Sequence, residues 1–167
     1  MEKVSITRRK LMDVWTVLEG LGEKTLHIKA MYAIVKNRKT LNTEIEAIRD
    51  AARPPQGFIA YEKERIALCE SFCSRNEKGE PVIENKAFVF PLDKLSDFHE
   101  ELKRLQEKHV KDIEDANKLD VQMGQLLEDA VDIDVYTIPA NVLEDGGLTL
   151  AQFELLVDVG IITEPVE

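Results

Sequence analysis

The sequence predicts an α+β fold that is mostly α. Three observations carry this. Apolar residues recur at three- and four-residue steps over most of the chain, the spacing of a helix with one buried face. Strict alternation is confined to two short stretches, Val4–Ile6 and Ala130–Ile138. The prolines fall outside the periodic segments, as at Pro54-Pro55, Pro81 and Pro139. The 167 residues fit a single domain. It divides into a long antiparallel helical hairpin over about 26–74, a strand–helix–strand unit over about 86–138, and a C-terminal helix over about 149–159.

Val4-Ser5-Ile6 reads as a strand, and Thr7 can cap the helix that follows. Arg8, Arg9 and Lys10 then sit at the positive end of that helix's dipole, where cations are locally unfavourable by a few tenths of a kcal/mol (~0.3–1). Such side chains are kept either for a partner or for acidic neighbours. Leu11, Val14, Trp15 and Leu18 form the apolar face, and Gly20 is placed to end the helix.

The hairpin comes next. Ile28, Met31, Val35, Leu41, Ile45 and Ile48 mark the expected buried face of its first helix, with Arg38 in the slot between Val35 and Leu41. Pro54 and Pro55 stop this helix, because proline lacks the N–H and clashes with the preceding turn. Phe58, Tyr61, Arg65, Leu68 and Phe72 share a face of the second helix, which is expected to pack antiparallel on the first. Cys69 and Cys73, four residues apart on that helix, read as reduced and at least partly buried.

Asn76–Pro81 is a turn. Ala87–Phe90 reads as a strand. Leu95, Phe98, Leu102 and Leu105 begin a third long helix. Its repeat continues through His109, Asp112, Ala116, Leu119, Met123 and Leu126, with Asn117 or Gly124 as break points. In Ala130–Ile138 the apolar Val131, Ile133 and Val135 face one way. This strand is expected to pair with Lys86–Phe90, with Val4–Ile6 added. Thr149 and Gln152 form a capping box, Leu148 and Phe153 a hydrophobic staple, and Gly160 a stop.

Charge is uneven. The net charge is −10, yet residues 1–53 carry 11 Lys and Arg against 7 Asp and Glu, while residues 54–167 carry 11 against 25. The acidic balance disfavours a nucleic-acid partner, whose backbone needs a concentrated positive surface. No apolar run reaches membrane-spanning length, no signal peptide is read at Met1–Lys10, and an intracellular setting is expected.

No zinc spacing, phosphate-binding loop or nucleophile motif is present, so neither a catalytic residue nor a cofactor is assigned. His99 and His109 are about 15 Å apart along one helix and cannot share a metal there. The Gly146-Gly147 loop precedes a helix, but Glu144 and Asp145 beside it oppose anion binding. Asp132 and Asp134, about 7 Å apart on one strand face, are the only metal candidates, with solvation of a wet face as the simpler reading. The binding candidates are Lys36, Arg38 and Lys39, a basic cluster on the first hairpin helix, together with Arg65 on the second. For the cluster, too, a solvated face is the simpler reading.

A resemblance supplements these readings. The Leu18-Glu19-Gly20-Leu21, Ile28-Lys29 and Val35-Lys36-Asn37 segments, the block Tyr61–Glu70 with the Asn76–Pro81 turn, the Leu126–Val135 junction and the Leu148-Thr149 helix start resemble a family of small tailed-phage and prophage proteins of unknown function. The resemblance implies a phage or prophage gene product in the host cell cytoplasm, with association to the virion as the alternative. It carries no catalytic residues. The function expected is a non-enzymatic protein-interaction or virion-assembly module, through a phage or host partner or through self-association. The alternatives are a host-defence antagonist that masks a host protein or sequesters a nucleotide signal, and a divalent-metal enzyme using Asp132 and Asp134.

Overall fold

The computed structural model describes residues 2–143 and 147–163, so Glu144, Asp145 and Gly146 of the expected Gly-Gly loop lie outside the described residues. Helices dominate, with short two-stranded sheets between them, which is the mostly helical α+β class. The chain forms two compact units, Met1–Ala52 with Gln122–Glu167, and Arg53–Val121.

In the first unit, β1 (Glu2–Thr7) pairs antiparallel with β4 (Ala130–Val135). This corrects the expected pairing of β4 with Lys86–Phe90. The ladder sets Val4 opposite Ile133 and Ile6 opposite Val131, so the apolar rows of both strands meet on one face. Thr7 caps α1 (Arg8–Gly22), its Oγ1 accepting from the Lys10 N–H at 3.2 Å. The helix runs past Gly20 because Leu21 is buried in the core and holds the last turn wound. Arg8, Arg9 and Lys10 each meet a carboxylate on a different helix of this unit: Glu44 on α2 (Ile28–Ala51), Glu128 at the end of α5 (Val110–Glu128; 2.7 Å) and Asp158 at the end of α6 (Leu150–Asp158; 3.4 Å).

α1 and α2 form an antiparallel hairpin across the loop 23–27, with β4 also packed on α2. The buried face of α2 differs from expectation in its first half. Ala30, Ala33, Ile34 and Asn37 point inward, then Leu41, Ile45 and Ile48 as predicted. Ile28, Met31 and Val35 are exposed. The reason is Asn37, which is fully buried. Its Nδ2 donates to the Tyr136 carbonyl at 2.8 Å, and its Oδ1 accepts the Tyr136 N–H at 2.7 Å. The side-chain amide thus takes the place of a neighbouring strand for the residue just beyond β4. The chain continues into β5 (Ile138–Pro139), parallel to β6 (Ile162–Thr163). α6 carries the predicted capping box: Gln152 N–H donates to Thr149 Oγ1 and Thr149 N–H to Gln152 Oε1. Gly160, at φ +69°, ends it, with the Ile161 N–H reaching the Leu156 carbonyl at 2.9 Å.

In the second unit, α3 (Gln56–Phe72) packs antiparallel on α4 (Leu95–Lys108), so α3 has its helical partner here and α2 has its own in α1. The aromatic face read from sequence explains the choice. Phe72 and Phe90 both meet the buried ring of Phe98, at 5.9 and 4.3 Å between centroids. Cys69 and Cys73 are free and buried, and burial pushes the Cys69 thiol up. β2 (Ile83–Glu84) and β3 (Ala87–Phe88) form a hairpin on each other through Asn85 and Lys86, both at positive φ, the two-residue turn that matches strand twist. The third long helix breaks at His109, not at Asn117 or Gly124, which lie inside α5.

Replacing Asn37 by Leu removes both partners of Tyr136 while keeping the branched shape and the number of side-chain heavy atoms. It should destabilise the protein by about 2–3 kcal/mol in urea unfolding. Thr149→Ala should cost about 1 kcal/mol by the same measurement. An unchanged midpoint for Asn37→Leu would show that water replaces the amide without cost.

Candidate functional site

Between Glu23 and Glu44 the sequence has no acidic residue, and it carries Lys24, Lys29, Lys36, Arg38 and Lys39. α2 occupies most of this stretch. Its core-facing residues are apolar apart from Asn37, yet a second apolar row, Ile28, Met31, Tyr32 and Val35, follows i, i+3, i+4, i+7 on the other side. At 100° per residue the two rows are centred roughly 150° apart. The outer row is 72, 43, 60 and 51% exposed in that order. A helix apolar on both sides is ordinarily covered on both, and a contiguous exposed apolar row marks an interaction surface.

Cations frame this row. Lys29 and Lys36, seven residues apart, line one edge, Arg38 lies on the other, and Lys39 continues the row beyond Val35. The Lys36 ammonium sits 5.5 Å from the Tyr32 ring centre and 5.7 Å from that of Tyr136. The Arg38 guanidinium lies 5.6 Å from the Trp15 ring centre. It also fills the space beside Gly22, where a Cβ would approach its Nη1 to 2.8 Å. Trp15, Val35, Arg38, Lys39 and Asn42 line an open cavity of about 340 Å³. The buried Trp15 Nε1–H has no acceptor among the described residues. Among the described residues Lys29, Lys36, Arg38 and Lys39 also have no carboxylate partner, whereas Arg8, Arg9 and Lys10 each have one.

The structure therefore groups three of the four binding candidates, Lys36, Arg38 and Lys39, on one surface within the first unit. Arg65 belongs to the second unit and is occupied in its own helix, holding Glu62 through two hydrogen bonds of 2.8 Å. That pair raises the Arg65 pKa and lowers that of Glu62. Asp132 is exposed opposite Ser5, and Asp134 stands opposite Lys3, a neighbour suited to an ion pair. Among the described residues no group of three or more His, Cys, Asp or Glu side chains is placed to hold a metal ion. A larger groove of about 500 Å³ between α3 and α4 has its rim charges already paired, Glu64 with Lys108 and Glu101 with Arg104.

One polar constellation went unassigned in the sequence. His109, at the α4–α5 break, is buried against the Tyr61 ring. Its Nδ1 lies 2.8 Å from Asp112 Oδ2 and its Nε2 3.2 Å from Glu64 Oε1, and Lys108 also binds Glu64 at 2.7 Å. The hydrogen bond to Asp112, and then that to Glu64, raises the His109 pKa above its ordinary value against the opposing effect of burial. Lys108 and then His109 lower that of Glu64. With both ring nitrogens turned to carboxylates, neither is free to take a substrate proton. A Cβ at Gly57 would run into the Asp112 carboxylate, so a larger residue there would push that carboxylate away from His109. That carboxylate lies at the first turn of α3, where Pro55 supplies no side-chain cap and a negative charge favours the helix dipole.

Compared with protein-family models, with curated proteins and with solved structures, the chain matches none. No helix among the described residues is long and apolar enough to cross a membrane.

A raised His109 pKa contributes stability that is complete below the ordinary value and is lost as pH rises through the folded-state value. His109→Gln keeps polar contacts without titrating. The stability gap between wild type and this variant should be widest near pH ~6 and narrow on alkalinisation, as followed by urea midpoints across pH. A gap independent of pH would exclude the imidazolium as its source.

Proposed function

We propose that the protein is a non-enzymatic interaction module whose binding surface is the outer face of α2. The observation that carries this reading is the exposed row Ile28, Met31, Tyr32 and Val35, framed by cations without carboxylate partners among the described residues. Left in water, such a row gives up the free energy of covering it, about 1.5–3 kcal/mol for each side chain fully buried. Its helical spacing is that of anchors in helix-mediated recognition. The resemblance to small tailed-phage and prophage proteins supports a phage setting, in which the partner is a virion component during assembly or a host factor that the module occupies.

A photo-crosslinking amino acid at position 32, in cells that make the protein, should yield a protein adduct of discrete mass. The same group at position 92, exposed in the second unit, should not. Val35→Asp should remove the adduct from position 32 without altering the circular dichroism, since Val35 adds nothing to the core. Equal labelling from both positions would remove α2 as the binding face.

A further inference from the structure

We infer that the occupant of the α2 face is an acidic amphipathic helix of another protein, about four turns long. This inference rests on the interaction reading above and specifies the chemistry of the partner. The surface runs from Ile28 to Asn42, about 21 Å at 1.5 Å per residue, which a helix of about 14 residues would cover. Its centre is apolar and its edges are positive: Lys29 and Lys36 on one side, Arg38 on the other, Lys39 at the end. A helix laid along it places apolar side chains on the row, and its flanking residues fall over the cations. Carboxylates there gain the charges that are unmatched among the described residues, and lysines there are repelled. The cavity at Trp15, about 340 Å³, lies at the far end and takes one large apolar anchor.

A second copy of this chain is a poorer occupant. Of its own helices, α6 exposes Leu150 and Val157 one helical repeat apart beside Glu154 and Asp158. α6 has nine residues, too few to span the surface from Ile28 to Asn42, and Asp158 is engaged by Lys10. A nucleic acid would use the cations but leaves Ile28, Met31 and Val35 uncovered. Tyr32 is the only ring in that row on which a base could stack.

Three synthetic helical peptides of 14 residues, free of Trp, test the inference. All carry the i, i+3, i+4, i+7 pattern. The first has leucines on the row and glutamates at the flanks. The second has the same leucines with lysine flanks. The third keeps the glutamates with glutamine in place of leucine. Trp15, the single tryptophan, reports occupancy of the face by its emission. The first peptide should bind and shift that emission, and the other two should bind at least tenfold more weakly. Lys29→Glu with Lys39→Glu should reverse the preference between the first two. Both side chains are exposed and make no ion pair among the described residues, so the double variant keeps the fold, as circular dichroism would verify.

Equal binding of acidic and basic peptides overturns the inference, as does binding of none. Tighter binding to phosphatidylserine vesicles overturns it in favour of a membrane surface. A dimer in sedimentation equilibrium that Val35→Asp dissociates overturns it in favour of a second copy. If position 32 crosslinks to a segment that is not acidic, the partner chemistry is wrong and the interaction reading stands. If it crosslinks to nothing and no peptide binds, both fall together.

Discussion

A single buried amide determines which way α2 faces. Asn37 is enclosed in an otherwise apolar core and satisfies both backbone groups of Tyr136. A buried polar group without partners costs on the order of a few kcal/mol, so α2 cannot rotate about its axis without taking from the Tyr136 backbone the amide that satisfies it. Were α2 turned to bury Ile28, Met31 and Val35, as their apolar character alone suggests, Asn37 would point toward water. The hydrogen bonds thus hold the smaller Ala30 and Ala33 in the core and keep the bulkier row outside. The exposed row follows from that constraint, and any partner for it has to come to the protein.

Charge is distributed in a way that fits the same arrangement. Placing Arg8, Arg9 and Lys10 at the positive end of α1 opposes the dipole, yet each cation reaches a carboxylate on a separate helix. Residues 122–167 contain no Lys or Arg, and among the described residues Glu128 and Asp158 of that stretch meet counter-charges at the start of α1. Individually such partly exposed pairs contribute little, about 0–1 kcal/mol. Their effect is to locate α2, α5 and α6 around one helix end. The cations of α2 itself, Lys29 to Lys39, are left out of this network among the described residues. Within a chain of net charge −10 they form a basic surface without carboxylate partners among the described residues.

What the sequence disclosed depends on how local the cause is. The capping box at Thr149, the Gly160 stop, the proline break after α2 and the aromatic face of α3 were all legible, because a few neighbouring residues decide each. The heptad-like face from Leu95 to Leu126 was legible too, and its members are buried or half-buried. The break in that helix was not. It falls at His109, whose ring is held by Glu64 from α3 as well as by Asp112, and spacing along one helix does not reveal a partner 45 residues away. Strand alternation likewise gave the inward face of β4, but it put Lys86–Phe90 ahead of Val4–Ile6, which lies in the strand that pairs with it. Of the site, Lys36, Arg38 and Lys39 were legible as a basic cluster. Ile28, Met31 and Val35 of the apolar row they frame were assigned to the core, since periodicity cannot distinguish two apolar faces on one helix. Only the contact between Asn37 and Tyr136, 99 residues apart, separates them.

The combination of row and frame also bears on selectivity. Four apolar side chains on a helix would accept many amphipathic partners with small differences in affinity, because apolar burial has no direction. Fixed cations at both edges add a penalty for the wrong partner as well as attraction for the right one. Their fixation is structural. Arg38 is held against Trp15 and Gly22, and Lys36 lies between the rings of Tyr32 and Tyr136, so both lose little further freedom when a partner arrives. Tyr136 is also the residue whose backbone Asn37 holds. The contact that turns the apolar row outward therefore sets one wall of the slot that positions Lys36, and exposure and selectivity of the surface arise from the same packing.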